Sequence, residues 1–176
     1  ATAARGERAY DLVFHFSKGD GKYGFDEKKH EAISQYYQRL EDGSHAAWKA
    51  LSSARPDIIE GRLTSHQRID LSRITFQAGR SLVTPSSTAA NKFTLTVPGA
   101  ANGAEEELLA LFAPADSIPP KVLGKVNLVT YNPIRYNLQI VPVNDASLPG
   151  NLDEASISTS LNEVYNQAVV EWNVRV

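Results

Sequence analysis

The sequence predicts an α+β protein, with a β-rich N-terminal part that carries one helix and a small α/β part at the C-terminus. In the N-terminal part, apolar and polar residues alternate along several short stretches, which is the spacing of half-buried strands. Pro119-Pro120 interrupts this pattern, and a strand pattern, a helical pattern and a last strand pattern follow. We therefore expect two parts, residues 1–117 and residues 118–176.

The alternating stretches of the N-terminal part each predict a strand. They are residues 10–16, 58–63, 67–76 and 93–97. Within the third of them the alternation slips by one residue between Leu71 and Ile74, which predicts a β-bulge. Residues 105–112 fit a strand or a short helix, because the run of Glu residues at their start obscures the period. Residues 46–51 are similarly ambiguous.

One amphipathic helix is expected in this part. Asp26 is a residue type that caps helix N-termini, and Asp42-Gly43 is a strong terminator. Between them, apolar residues recur at positions i, i+3, i+4 and i+7, which places them on one helical face. These are Ile33, Tyr36, Tyr37 and Leu40.

The C-terminal part predicts a βαβ unit. Residues 121–131 and 135–143 are strand-like, and residues 170–176 alternate again. Between them, one helical face carries Ile157, Leu161, Val164, Tyr165 and Ala168. The two strands that flank this helix should lie parallel. Because parallel strands need neighbours and covering, we expect the remainder of a larger polypeptide to be the partner of this unit.

Composition argues against two classes of function. The formal charge of −2 over 176 residues, with no basic stripe, argues against nucleic-acid binding. No stretch has the apolar length of a membrane span.

Cysteine is absent, so no disulfide and no thiolate ligand or nucleophile is present. No asparagine lies in an N-x-Ser/Thr acceptor site, which fits a bacterial protein.

Gly19-Asp20-Gly21-Lys22-Tyr23-Gly24 has the G-x-G-x-x-G spacing of a dinucleotide-binding turn. That turn needs a helix to begin inside the motif, so that backbone N–H groups face the pyrophosphate, whereas the predicted helix cap comes only at Asp26. A turn-forming surface loop is therefore the preferred interpretation, and no cofactor is expected. Asp20 and Asp26 are candidate calcium ligands, although the spacing of a hand-type calcium loop is missing.

The sequence contains no complete catalytic motif. His30-Glu31 is half of an HExxH zinc motif, but Ser34 stands where the second histidine is required. The four histidines are scattered, and no nucleophile elbow is present. No catalytic residue is assigned. An enzyme whose site is assembled in space from scattered His, Asp and Glu residues remains an alternative.

Aromatic residues offer a second alternative, a binding module. Tyr36, Tyr37 and Trp48 fall close together in the sequence and are candidates for an aromatic platform that binds a glycan or a peptide. The competing interpretation is that they pack the predicted helix on the sheet.

The last third of the chain resembles a known type of protein. Residues 126–131, 136–144 and 161–174 look like the region that precedes the catalytic zinc helix in large secreted proteins of Bacteroidetes-type bacteria. Those proteins end in a zincin-like metallopeptidase or toxin domain. The resemblance implies a non-catalytic module of a larger secreted or cell-surface bacterial protein, inactive by itself. No HExxH is present here, so no zinc ligand is carried over.

Overall fold

Strands make up most of the folded chain, and the prediction of a mainly β protein is confirmed. A computed structural model describes residues 12–27, 31–40, 43–65, 68–89, 91–115, 118–141 and 153–176. The strands are β1 (Leu12–Ser17), β2 (Phe25–Asp26), β3 (Ala47–Ser52), β4 (Asp57–Ser65), β5 (Ile74–Ala78), β6 (Ser81–Val83), β7 (Pro85–Ala89), β8 (Lys92–Val97), β9 (Glu105–Phe112), β10 (Lys121–Tyr131), β11 (Ile134–Gln139) and β12 (Val170–Arg175). The α-helix α1 spans Glu154–Tyr165, and short 3₁₀ turns occupy Glu31–Tyr36, Leu71–Arg73 and Asn166–Ala168.

Two sheets form a β-sandwich. The four-stranded sheet has the order β1-β4-β8-β7 and is antiparallel throughout. The six-stranded sheet has the order β2-β3-β10-β9-β5-β6, and only its β3–β10 pair is parallel. Alternate residues of β4 and β8 are buried between the sheets, which is why the period of two in the sequence predicted these strands.

Aromatic rings from both sheets meet in the core. Phe14 of β1 lies 5.2 Å from Phe76 of β5 and 5.5 Å from Phe93 of β8, measured between ring centroids. Two glycines make room for this packing. A Cβ at Gly61 would lie 2.1 Å from the Phe14 ring, and one at Gly124 would lie 2.1 Å from the Phe14 carbonyl oxygen. Gly124 therefore allows β1 and β10 to approach closely.

A third element, the C-terminal α/β unit, consists of β11, α1 and β12. β11 and β12 pair in parallel with Ile134 opposite Val170, and they form a separate two-stranded sheet. Asp153 caps α1, because its side chain accepts a hydrogen bond from the Ala155 N–H at 3.1 Å. α1 packs on β12.

The predicted helix between Asp26 and Gly43 is wrong. Asp26 lies in β2 and pairs with Trp48 of β3 instead of capping a helix. The helical spacing is realised only in the 3₁₀ turn Glu31–Tyr36, after which the Ala46 N–H bonds the Gln38 carbonyl. The segments before and after this 3₁₀ turn both bond to residues in or next to β3, and these tertiary contacts override the local helical pattern. Asp42 and His30 lie outside the described residues.

The predicted β-bulge between Leu71 and Ile74 is also wrong. A 3₁₀ turn, Leu71–Arg73, precedes β5, and the Asp70 side chain caps it by accepting from the Ser72 N–H at 3.0 Å. The change of phase therefore marks the end of this turn. Residues 66–67, the first two residues of the predicted opening strand, and residues 142–143 of the predicted strand before α1 lie outside the described residues.

β10 was assigned from the sequence to the second part of the chain. Its hydrogen-bonded neighbours are β3 and β9, so it is an inner strand of the six-stranded sheet. The C-terminal α/β unit follows it after Asn132 and Pro133.

Candidate functional site

A buried ion pair lies beneath the loop that follows β1. Lys49 of β3 and Asp57 of β4 are both buried, and the Lys49 Nζ donates to the Asp57 Oδ2 at 2.5 Å. The same Nζ donates to the Tyr23 carbonyl at 2.7 Å. Asp57 also accepts from the backbone N–H groups of Lys22 (2.7 Å) and Tyr23 (2.9 Å). The pair therefore fixes the backbone of this loop.

The hydrogen bonds around Asp57 decide its protonation. Burial by itself raises the pKa of the Asp57 carboxyl, because it disfavours the charged form. The hydrogen bonds from Lys49 and from the two backbone N–H groups outweigh burial and hold the pKa below its ordinary value. Asp57 is therefore a charged structural group, and both of its carboxylate oxygens accept hydrogen bonds from neighbouring residues.

Close contacts with other parts of the backbone explain two of the glycines in the G-x-G-x-x-G loop. A Cβ at Gly21 would lie 2.3 Å from the Ile58 carbonyl oxygen, and one at Gly24 would lie 2.6 Å from the Gln167 carbonyl oxygen. The Gly24 N–H donates to that Gln167 oxygen at 3.3 Å. The loop thus contacts the β-sandwich on one side and the C-terminal α/β unit on the other. Close backbone packing requires these two glycines.

Glu171 of β12 is the centre of this junction, and we call it and the groups around it the Glu171 cluster. Its carboxylate accepts from the Lys22 Nζ at 3.2 Å and from the Tyr23 hydroxyl at 3.4 Å. It also pairs with the Arg55 guanidinium and, at 3.2 Å, with the Arg135 Nε. The Glu171 side chain is only 15% exposed, and the Arg55 Nε donates to the Tyr23 hydroxyl at 2.8 Å. One carboxylate therefore joins three cations from separate segments.

An open polar cleft of about 450 Å³ lies beside the Glu171 cluster. Lys22, Glu171 and hydroxyl and amide side chains of α1 line it. The Asn166 Oδ1 and the Trp172 Nε1, which belong to lining residues, are buried and have no hydrogen-bond partner among the described residues. Both atoms are inaccessible to solvent, so a molecule in the open cleft does not reach them in this conformation.

The two-stranded sheet has a polar face and an apolar face. Register places Arg135 beside Glu171 and Asn137 beside Asn173 on the polar face, where the Asn173 Nδ2 donates to the Asn137 Oδ1 at 3.1 Å. The opposite face carries the apolar side chains Ile134, Tyr136, Leu138, Val170, Trp172 and Val174. The Glu171 cluster thus attaches the sheet to the β-sandwich through its polar face.

α1 covers the apolar face only over β12. Tyr165 of α1 lies 5.6 Å from the Trp172 ring, and Tyr136 of β11 stacks on the same ring at 5.0 Å, both measured between ring centroids. Over β11 the same face is open, since Ile134 is 51% and Tyr136 48% exposed. We call Ile134 and Tyr136 the open apolar patch.

Asn162 of α1 closes the outer edge of β12. Its side-chain oxygen accepts from the Trp172 N–H at 2.8 Å, and its Nδ2 donates to the Trp172 carbonyl at 2.9 Å. The carboxamide thereby makes the two hydrogen bonds that a neighbouring strand would make at this residue. β12 is therefore protected at this point, whereas no described segment pairs with the outer edge of β11.

Val169 makes the sharp entry into β12. It is fully buried and adopts a left-handed φ of 59°, which β-branched residues rarely do. Its carbonyl accepts from the Ile134 N–H at 3.1 Å, and its N–H donates to the Asn166 carbonyl at 2.9 Å. Burial and these bonds keep the backbone in this strained conformation.

The aromatic residues singled out from the sequence take different positions. Tyr36 is exposed, Trp48 is half-buried, and the Trp48 Nε1 donates to the Tyr36 carbonyl at 3.2 Å. Tyr37 is buried, and its hydroxyl donates to the Asp26 carboxylate. Tyr37 therefore offers no ring face to a ligand, and the glycan or peptide platform stays a prediction for Tyr36 and Trp48.

Tyr37 should titrate late. The hydrogen bond to Asp26, with burial, raises its pKa to about 12. We expect its phenolate absorbance to appear only near that pH, and Asp26→Asn to return the pKa toward 10. Since the unfolded chain loses this proton first, stability should fall as pH rises from 10 to 12. Ultraviolet titration checks the shift; an unchanged curve in Asp26→Asn contradicts it.

The candidate calcium ligands belong to no cluster of metal-binding side chains among the described residues. Asp20 is exposed in the loop after β1, and the Asp26 carboxylate accepts a hydrogen bond from the Tyr37 hydroxyl. Among the described residues, no three His, Asp or Glu side chains are close enough to hold a metal ion. Calcium binding by Asp20 and Asp26 stays a prediction. His30 and His66 lie outside the described residues, and His15 is exposed.

Sequence reasoning missed the residues that build the junction. Lys49 gave no usable signal, because residues 46–51 are ambiguous and the alternate phase, Ala46, Trp48 and Ala50, is the fully apolar one. Glu171 and Asn162 gave none, since a polar residue in an alternating strand or on a helix is ordinarily solvated. Their partners come from distant parts of the chain.

No helix in the described part of the chain is long and apolar enough to cross a membrane. The chain matches no known protein family, no curated protein and no solved structure.

Proposed function

We propose that this chain is a non-catalytic interaction module of a larger secreted or cell-surface bacterial protein. Its β-sandwich acts as the rigid support, and its C-terminal α/β unit presents the interacting surface. The observation that carries the proposal is the open apolar patch on β11, whose outer edge pairs with no described segment of the chain.

Sheet physics supports this proposal. Parallel strands in folded proteins are ordinarily covered on both faces and flanked by further strands, because two strands alone are marginally stable. Here the Glu171 cluster and α1 cover β12, while Ile134 and Tyr136 of β11 expose about half of their surface. Polypeptide from outside the described residues would bury this apolar surface and gain free energy in proportion to its area.

The ionisable groups at the junction favour a structural role over catalysis. Lys49 and Asp57 neutralise each other in the interior, and the Glu171 carboxylate is shared among cations. None of these groups combines solvent access with a free acid or base function, which a catalytic group needs. An enzyme assembled from scattered histidines and carboxylates is the weaker proposal.

The resemblance of the last third of the chain to sequences that precede a zincin-like domain supports the same proposal. It suggests that the interacting polypeptide belongs to the same larger protein, with this chain serving folding, shielding or target attachment. A glycan- or peptide-binding module is the second candidate. The exposed Tyr36 beside the half-buried Trp48 favours it.

The open apolar patch can be tested with the dye 8-anilinonaphthalene-1-sulfonate, whose fluorescence rises on apolar protein surface. We expect the folded chain to bind the dye, and Ile134→Gln with Tyr136→Gln to remove most of the signal. The melting temperature should fall only slightly, through loss of the Tyr136 stack on Trp172. The matched control is Leu82→Gln, because Leu82 on β6 is 76% exposed but isolated from the patch. Equal loss of signal in both variants would refute the proposal.

A further inference from the structure

We infer that two copies of this chain associate through β11, edge to edge and antiparallel, to form one four-stranded sheet. The inference rests on the proposed function, since it names the occupant of the interacting unit.

Hydrogen bonding shows which backbone groups of β11 are available. The Ile134 N–H donates to the carbonyl of Val169, which immediately precedes β12, at 3.1 Å. The N–H of Ile140, which immediately follows β11, donates to the Arg175 carbonyl of β12 at 2.8 Å. In a parallel pair, residues two apart face the same neighbour, so the even-numbered residues of β11 face β12. The N–H and C=O groups of the odd-numbered residues therefore point to the outer edge. These are Arg135, Asn137 and Gln139.

The two edges of this sheet differ. On β12, the Asn162 carboxamide takes both backbone groups of Trp172, which excludes an added strand there. On β11, no described segment competes for the outer edge. An added strand is thereby directed to β11.

β11 also projects beyond the layers on either side of it. The Arg135 side chain on the polar face is 70% exposed, against 15% for its neighbour Glu171, so the β-sandwich lies under β12. On the other face, Tyr136 is 48% exposed, because α1 packs on β12. Both faces beside the β11 edge are therefore accessible to a second chain.

β11 is complementary to itself. An antiparallel pair centred on Asn137 places Asn137 opposite its own copy and Arg135 opposite Gln139, and each such pair exchanges two backbone hydrogen bonds. No like charges face each other directly. On the apolar face, Tyr136 lies opposite Leu138, so these two apolar side chains would bury surface against each other. The resulting sheet exceeds the three strands needed for independent stability.

The test compares Asn137→Pro with Asn137→Ala by sedimentation equilibrium. Proline removes the N–H that points to the outer edge and leaves the bonds to β12 intact. Both variants lose the side-chain bond with Asn173, so alanine is the matched control. We expect the wild type and Asn137→Ala to dimerise alike, and Asn137→Pro to raise the dissociation constant about tenfold or more, since two intermolecular hydrogen bonds are lost.

Circular dichroism and the melting temperature must agree between the two variants. Should Asn137→Pro unfold the unit, Gln139→Pro with Gln139→Ala repeats the comparison at the strand's end. A monomeric wild type overturns the inference, as does a dimer that neither proline weakens. Dye binding by the open apolar patch in a monomeric wild type would leave the proposed function standing, with a strand of the larger protein as the occupant of the edge.

Discussion

Replacing Lys49 with methionine should lower the free energy of unfolding by about 3–5 kcal/mol, because it leaves the buried Asp57 carboxylate without its cation. Methionine fills most of the volume of the lysine side chain, so the loss is electrostatic more than it is a cavity effect. The loop from Lys22 to Gly24 should loosen as well, since the Lys49 bond to the Tyr23 carbonyl is lost. Urea unfolding monitored by tryptophan fluorescence measures the change.

Lys92→Met is the matched control for this prediction. Lys92 pairs with Glu60 at 2.7 Å, but its side chain is largely exposed, so we expect a loss below about 1 kcal/mol. The double variant Lys49→Met with Asp57→Asn should recover part of the loss, because it removes the uncompensated charge. Equal effects of Lys49→Met and Lys92→Met would show that the buried pair is not the stabilising feature.

The same pair gives the protein a defined acid sensitivity. The pKa of Asp57 is lower in the folded chain than in the unfolded one, so between the two values the unfolded chain binds more protons. This contribution to stability is complete above the unfolded pKa of about 3.9, and it is lost as pH falls through the folded pKa. Asp57→Asn, which lacks the titration, should therefore lose less stability between pH 5 and pH 2 than the wild type.

Strands with one buried face and one solvent-exposed face could be predicted from the sequence. The limits of β10 agree with the prediction to the residue, and β4 and β8 lie within a few residues of it, because side-chain burial follows the period of two. The prediction of a helix after Asp26 was wrong, because the spacing of apolar residues cannot show that Asp26 pairs with β3. Likewise, the position of β10 depends on pairing with β3, which is distant in the chain.

The candidate site was largely invisible to sequence reasoning. The Glu171 cluster joins Lys22 and Glu171, which are 149 positions apart in the sequence. Arg55, which also pairs with Glu171, is distant from both residues along the chain. Asn162 closes the edge of β12 through its carboxamide, a role that no local pattern separates from ordinary helix-surface polarity. The exposed aromatic Tyr136 fitted the strand pattern, and only the position of α1 over β12 shows that its face is open.

Glu171→Gln should weaken attachment of the C-terminal α/β unit by about 2 kcal/mol, because Lys22, Arg55 and Arg135 lose the one carboxylate that they share. The exposure of these cations keeps the effect below that of a fully buried pair. Hydrogen exchange followed by mass spectrometry should show the amides of β12 exchanging about thirtyfold faster, while the β-sandwich is unchanged.

Glu163→Gln is the control for this change, since Glu163 lies in the same unit, lines the same cleft and carries the same charge. It should leave exchange in β12 unaltered, because no ion pair of the described residues involves it. Uniformly faster exchange throughout the β-sandwich in Glu171→Gln would contradict local detachment. It would mean that β12 and the sandwich unfold as one cooperative body, and that the Glu171 cluster stabilises the whole chain instead of holding a separable interacting unit in place.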